Sequence, residues 1–448
     1  MLAGALGLDL SGLGVLNAAL PEIGASFDLS NATLQWVMTS YAVAFAGFLL
    51  FGGRASDVLG RRMMFTVGVG LFTVAALAGA LAPTITVLIV ARAAQGIGAA
   101  LSGPATLALI AEVFPEGPER NRAFGIYASV GAASFSGGVV LGGVLTSALG
   151  WRTVLLFSTV IGLVVLAGVK AGLPRSTRQR SPLDLPGAVM VTAGLVLAVF
   201  AVSHGAEAGW GATSVVVSLV LAVLLLVGFV VWERRARDPL LPLSIFRSNP
   251  VRISSLAAIL NYTGGVGLLF FAPLYMQGML DYPPFLSGLA VLPSSAALFV
   301  TATFFTGKLL GKYSPRPVMA VGLALIALSM LLWMFTPLDG NYWIHLLPGF
   351  IVTGIGQGLV FPAMTVGSLT GVPPQQHGVA GAVNVTAQQI GSSVGVAALV
   401  VVATGFAGAG LQGQLDGFHA AYLAAAAVCL LGGLIALVSR KGWSGDQS

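Results

Sequence analysis

Two side chains in this chain of 448 residues stand where proton chemistry could occur, Asp9 and Arg92, each inside a long apolar run. An ionised group at mid-bilayer depth costs about 2.5–3.5 kcal/mol on insertion scales, so a residue kept there is a functional candidate. A guanidinium close to a carboxyl favours the ionised acid and so releases its proton as the two approach. Asp9 and Arg92 are therefore the candidate proton-coupling residues. A structural alternative stays open, in which Arg92 is satisfied by backbone carbonyls or by Asp9 and moves no proton.

Charge gathers a second time in Gly53-Arg54-Ala-Ser-Asp57-Val-Leu-Gly60-Arg61-Arg62. Glycine permits a tight turn at a membrane surface. Arginines suit headgroup level, and a lone acid among them can pair with a base or with a helix N-terminus. Uncharged polar and aromatic residues complete the candidate set. Asn17, Gln95, Asn261, Tyr262, Gln277, Gln357, Asn384 and Gln388 lie on apolar, often glycine-rich runs, and Trp36, Tyr41, Phe270 and Phe271 are suited to lining an apolar pocket. For each polar group the alternative is interhelical hydrogen bonding, worth about 0.6 kcal/mol on average.

Other chemistry is excluded or unsupported. No G-x-x-x-x-G-K-[ST] loop is present to hold ATP. His204, His345, His377 and His419 show no metal spacing, Cys429 sits alone in an apolar run, and no Ser/His/Asp arrangement suggests an enzyme. The expectation is a chain with no cofactor and no metal.

The elements that must position these residues are membrane helices. The chain is 56% hydrophobic and 8% charged, with 60 glycines and a mean hydropathy of +0.94. So few charges cannot cover soluble domains of this total length, against roughly 25% charged in a soluble protein. About 20 residues at 1.5 Å rise cross a hydrocarbon core of roughly 30 Å. Fourteen runs qualify, near 3–21, 34–52, 64–82, 85–110, 123–147, 153–171, 186–204, 212–232, 251–272, 286–306, 318–336, 346–369, 380–404 and 419–439. With the N-terminus inside, 19 of the 21 Lys and Arg residues fall in cytoplasmic stretches, as the positive-inside rule requires. Both termini are expected in the cytoplasm, and the basic balance is a topology signal rather than a nucleic-acid footprint. The chain opens almost directly in an apolar segment with no basic leader, so no cleaved signal is expected.

Two long cytoplasmic connections, 172–186 and 233–250, divide the runs into six, two and six. The expected domains are an N-terminal six-helix bundle (1–172), linkers with two inserted helices (173–250), and a C-terminal six-helix bundle with a short tail (251–448). Gly307-Lys-Leu-Leu-Gly311 weakly echoes Gly53-Arg-Ala-Ser-Asp57 and supports duplicated halves. Such halves in secondary transporters place the substrate site at their interface near the midplane.

The 53–62 loop resembles the G-x-x-x-D-x-x-G-R-R signature of the major facilitator superfamily. Arg92-Ala-Ala-Gln95-Gly96-Ile-Gly98 is similar to the R-x-x-Q-G-x-G motif of its proton-coupled exporters. Trp36-Val-Met-Thr-Ser-Tyr41, Trp151-Arg152, Asp184-Leu-Pro-Gly187, Glu233-Arg-Arg with Asp238-Pro-Leu, Pro273-Leu-Tyr275-Met-Gln277, and His377-Gly-Val-Ala-Gly through Asn384 to Gln388-Gln-Ile-Gly391 resemble the fourteen-spanner drug/proton antiporters. This order of motifs covers nearly the whole chain. The family's first-span acid has moved three residues, from the position of Gly12 to Asp9. Its G-P-x-x-G-G motif reads Gly138-Val139-Val140-Leu141-Gly142-Gly143, without the proline.

The resemblance implies an all-α major facilitator fold and export of small amphipathic compounds by alternating access, driven by the proton gradient, from a monomer in the cell membrane. With one deep acid, neutral or monocationic compounds suit it best. Gly53, Arg54, Asp57, Gly60, Arg61 and Arg62 would form the cytoplasmic gate, placed by expectation against the start of the eleventh span after Pro317. Gly138, Gly142 and Gly143 would form a packing seam. A uniporter or importer of the same fold remains the alternative, with a non-transporting receptor or anchor behind it.

Overall fold

The computed structural model describes residues 16, 19–20, 22–28, 31–115, 117–172, 184–236, 239–439 and 443. Among them the regular structure is helical throughout, with no strand. Leucine, valine and alanine runs leave the backbone no apolar-phase partner but itself, and a helix satisfies every interior N–H and C=O within one segment. In chain order the long helices are α1 (Asn31–Leu59), α2 (Arg61–Ala80), α3 (Ile85–Val113), α4 (Pro118–Leu149), α5 (Arg152–Gly172), α6 (Leu185–Ala208), α7 (Thr213–Glu233) and α8 (Asn249–Gly278). After a broken segment come α9 (Pro315–Trp333), α10 (Leu347–Leu369), α11 (His377–Phe406) and α12 (Gly410–Val438). Eleven helical segments among the described residues are long and apolar enough to cross a membrane. Residues 16, 19–20 and 22–27 are helical as well, so this stretch runs past the expected end at 21.

The expected span at 286–306 is found within Leu286–Lys312, long and apolar enough to cross a membrane, but its helix is locally irregular. Helical pieces Pro284–Ala290 and Leu292–Val300 meet at Val291, and a wide turn at Thr301–Thr306 precedes Gly307–Lys312. Pro293 cannot donate to the preceding turn, which accounts for the break at Val291. The Thr306 hydroxyl donates to the Thr301 carbonyl at 3.1 Å and to that of Gly358 at 2.7 Å.

The chain forms two compact units. The first comprises Met1–Phe114, Gly137–Ile245 and Val372–Thr386, and the second Pro115–Ser136, Phe246–Gly371 and Ala387–Ser448, so the division falls within both α4 and α11. In the first unit Tyr41, Phe65, Phe72 and Leu109 are buried together. In the second, Trp333 is packed by Tyr275, Phe350 and Tyr422, with ring centroids 5.0–6.1 Å apart. α7 exposes Val216, Val217, Val220, Leu221, Val223 and Leu224, the apolar outer surface that a lipid-facing helix presents.

Candidate functional site

The 53–62 loop proves to be the end of α1, one hinge residue and the start of α2. Gly60 joins the two helices at φ 105°, a conformation open to glycine and strained for side chains. Arg54 and Asp57 precede it and are buried. Each Asp57 oxygen takes one backbone donor from the first turn of α11: the Gly378 N–H donates to Oδ1 and the Val379 N–H to Oδ2, both at 3.0 Å. These donors are among those a helix leaves unpaired at its N-terminus, where the helix dipole also favours an anion. Close approach is possible because both sides carry glycine. A Cβ on Gly53 would lie 2.8 Å from the Gly378 carbonyl oxygen, and one on Gly378 would lie 2.6 Å from Asp57 Oδ1.

The expectation that this acid faces the helix after Pro317 is thus corrected. α9 begins Pro315-Arg-Pro317, and two of its first three residues have no N–H to give. α11 begins His377-Gly378-Val379 and offers two.

Arg61 secures the same corner. Its Nη1 donates to Glu112 Oε2 at 2.9 Å and to the Ala108 carbonyl at 3.3 Å, both on α3. Its Nη2 donates to the Pro374 carbonyl just before α11, and its Nε lies 3.9 Å from Asp57 Oδ1. Arg62 donates to the Val169 carbonyl of α5 at 3.3 Å.

Arg92 lies deep in α3 and is 0% exposed. Its Nε donates to the Val37 carbonyl of α1 at 3.1 Å, and its Nη1 to Gln95 Oε1, one turn along, at 2.8 Å. The guanidinium carbon lies 4.5 Å from the Tyr41 ring centroid, a cation–π arrangement that strengthens away from water. Among the described residues Arg92 Nη2 and Gln95 Nε2 have no hydrogen-bond partner. α1 comes near enough because a Cβ on Gly96 would stand 2.4 Å from the Tyr41 carbonyl oxygen. Tyr41 and Gln95, suggested by sequence as pocket residues, are brought into the shell of Arg92.

The other candidates are dispersed. In the second unit Asn261 Nδ2 donates to Gln357 Oε1 at 3.2 Å, with Tyr262 beside them partly buried. Asn384 and Gln388 are buried on α11. Gln277 is exposed sixteen residues beyond Asn261, about 24 Å at helical rise, and is not brought to that pair. Trp36 is partly exposed and stacks on Phe200 of α6 at 5.7 Å. Phe271 is buried against Phe418 and Tyr422, inside the packing of the second unit. Gly138 and Gly142 are buried on α4, and Gly143 is in the same helix. Asp9 and Asn17 lie outside the described residues.

The sequence pattern of the Major Facilitator Superfamily matches residues 2–396, most of the chain. The chain belongs to the major facilitator superfamily. It is a membrane transporter, and its family is not one of enzymes. Among curated relatives of this facilitator are the puromycin resistance protein pur8 of Streptomyces alboniger, 40% identical over 95% of this chain and 87% of its own length. The cephamycin export protein CmcT of Amycolatopsis lactamdurans is 38% identical over 93% of this chain and 86% of its own. The human organic anion transporter MFSD10 superposes on this facilitator with a TM-score of 0.72, covering 97% of each chain at 15% identity. The proton:xylose symporter XylE gives 0.67 at 16% identity, covering 97% of this chain and 93% of its own. At such identity the likeness is one of fold.

One part of this facilitator was not singled out as a unit by sequence. Asp184 caps α6, accepting the Gly187 N–H at 3.0 Å and the Trp232 indole N–H at 2.9 Å. Glu233, 4% exposed, accepts the Leu240 and Leu241 N–H groups at 3.1 and 3.2 Å. Together they tie the ends of α6 and α7 to the connection that follows. The signal was present as Asp184-Leu-Pro-Gly187 and Glu233 with Asp238-Pro-Leu, a helix cap and an acid ahead of a turn.

Proposed function

We propose that the protein exports small amphipathic compounds, antibiotics among them, in exchange for protons by alternating access. The observation that carries this reading is the wholly buried guanidinium of Arg92 in an apolar helix, with one terminal nitrogen unpartnered among the described residues. Relatives named for puromycin resistance and cephamycin export support the direction of transport. Asp9 is the acid whose proton Arg92 governs. Asp57, with Gly53, Arg54, Gly60, Arg61 and Arg62, is the cytoplasmic latch, able to open because its bonds join one carboxylate to two backbone amides. Gly138, Gly142 and Gly143 form the packing seam on α4. Asn17, Trp36, Tyr41, Gln95, Asn261, Tyr262, Gln277, Gln357, Asn384 and Gln388 are the pool from which substrate contacts are drawn.

The same reading gives fourteen spans, two six-helix bundles (1–172 and 251–448) around an inserted pair (173–250), both termini in the cytoplasm, and a monomer in the plasma membrane. No cofactor is needed, since the proton gradient supplies the energy. The test is ethidium accumulation in everted vesicles with an acid lumen. Accumulation that collapses with the pH gradient supports antiport, and flux indifferent to the gradient would instead indicate a uniporter.

A further inference from the structure

Pro362 stands in the interior of α10 and has no N–H to give. In an α-helix the carbonyl of one residue takes the N–H of the residue four positions on, so the carbonyl that loses its partner here is that of Gly358. A proline is tolerated in a membrane helix where a serine or threonine of a neighbouring helix re-satisfies the freed group. Thr306 does this from the irregular span before α9. Its hydroxyl lies 2.7 Å from the Gly358 carbonyl oxygen, and the side chain is 0% exposed.

Thr306 also closes the wide turn Thr301–Thr306 of its own span, where its hydroxyl lies 3.1 Å from the Thr301 carbonyl oxygen. A hydroxyl carries a single hydrogen, so one donor serves two carbonyls, one in each helix. The two irregularities lie face to face. Glycine permits the approach, since a Cβ on Gly358 would lie 2.7 Å from Thr301 Cβ and 2.9 Å from the Leu298 carbonyl oxygen. All of these residues belong to the second unit. Prolines and wide turns are the places where a helix bends, and wide turns recur at functional positions.

We infer that Thr306 is a positioning residue for transport, its hydroxyl joining the bend of α10 at Pro362 to the bend of the neighbouring span at Thr301–Thr306, so that the two helices hinge together. As they shift, the hydrogen can pass between the Gly358 and Thr301 carbonyls, and the donor keeps an acceptor throughout. Valine has the same shape without the donor, and each helix would then bend alone. The inference rests on the alternating-access reading and names a hinge for it.

The test compares Thr306→Val with Thr306→Ser, which keeps the hydroxyl. Ethidium uptake into everted vesicles with an acid lumen gives kcat and KM per folded molecule. Motions of this kind set turnover in many systems, and the buried hydroxyl is remote from any substrate contact. Thr306→Val should therefore lower kcat about tenfold, the worth of one buried hydrogen bond, with KM unchanged, and Thr306→Ser should restore it. Pro362→Ala returns an N–H to the Gly358 carbonyl, and on that background Thr306→Val should bring no further loss. The bending is read directly by spin labels at Lys312 and Thr370, the C-terminal ends of the two helices, with the single cysteine removed as Cys429→Ser. Their distance distribution should be narrow in the wild type and in Thr306→Ser, and broadened in Thr306→Val. Native kcat in Thr306→Val, a loss that serine does not recover, a loss equally large on the Pro362→Ala background, or equal widths of the distributions would overturn the inference. Uptake by the wild type with unchanged widths in Thr306→Val refutes the hinge alone. Broadening in Thr306→Val without gradient-driven uptake by the wild type refutes the exporter reading alone.

Discussion

Asp57 and Gly378, 321 positions apart, are joined by a backbone-to-carboxylate hydrogen bond of 3.0 Å between helices that each carry a glycine at the crossing. The bond is buried and charge-assisted, a class worth about 1.5–3 kcal/mol. A bond of this strength holds two helices together without making the contact permanent.

Replacing Asp57 by Asn keeps the shape but leaves one neutral acceptor oxygen for two donors. Asp57→Asn is expected to lower drug efflux about tenfold, corresponding to roughly 1.4 kcal/mol, with membrane abundance unchanged by immunoblot. Gly378→Ala, whose Cβ would meet Asp57 Oδ1 at 2.6 Å and the Gly53 carbonyl oxygen at 2.7 Å, should be more damaging still. Normal efflux in both variants would remove this corner from the transport cycle.

Arg92 separates geometry from charge. Its planar fork serves the Val37 carbonyl and Gln95 at once, and a lysine ammonium has no such fork. Arg92→Lys should fold, keep its place in the membrane and lose most gradient-driven transport. Thermal unfolding followed by size-exclusion fluorescence, beside vesicle uptake, distinguishes this from plain misfolding. Uptake at the native rate in Arg92→Lys would show that a positive charge alone suffices.

Gly96 brings α1 to α3 at Tyr41, and a Cβ there would sit 2.4 Å from backbone oxygen, which no side-chain rotation relieves. Gly96→Ala is expected to push Tyr41 off the Arg92 guanidinium and destabilise the protein by about 1–3 kcal/mol through overpacking. The measurable sign is a lower apparent Tm together with lost transport.

Glu233 offers a contrast, since its carboxylate holds a connection rather than the candidate pathway. Glu233→Ala leaves the buried Leu240 and Leu241 N–H groups without their acceptor, a cost of about 2–4 kcal/mol at roughly 1–2 per group. Glu233→Gln, which retains an acceptor oxygen, should recover much of this. Stability should therefore fall in the order wild type, Gln, Ala in a thermal-shift series. Equal unfolding of the Ala variant and the wild type would contradict the tie.

Local chemistry was legible from the residues themselves. Apolar runs located the helices because nothing else satisfies a backbone in lipid, and the Gly53–Arg62 spacing marked a hinge between two of them. Buried Arg92 stood out because charge is so rare in this chain. What escaped were relationships settled by packing over long sequence separation. Sequence alone places the Asp57 partner after Pro317, yet it is determined by which helix start has N–H groups and a glycine, and α11 has both. The ring of Tyr41 is turned to Arg92 by the helix approach that Gly96 allows, a contact that no spacing in the sequence shows. Asn261 and Gln357 were both recognisable as polar residues in apolar spans, but their pairing depends on how α8 and α10 meet. The break at Val291 was hidden by an unbroken apolar run, although Pro293 carried the signal.

The most direct test of coupling reverses the usual assay. Ethidium is added to everted vesicles holding an acid lumen, and lumenal pH is followed with a trapped dye. Entry of the compound should expel protons and make the lumen more alkaline with wild-type protein, and the change should be absent with Arg92→Ala. Alkalinisation that persists in Arg92→Ala, or ethidium entry with no pH change in the wild type, would contradict proton exchange governed by Arg92.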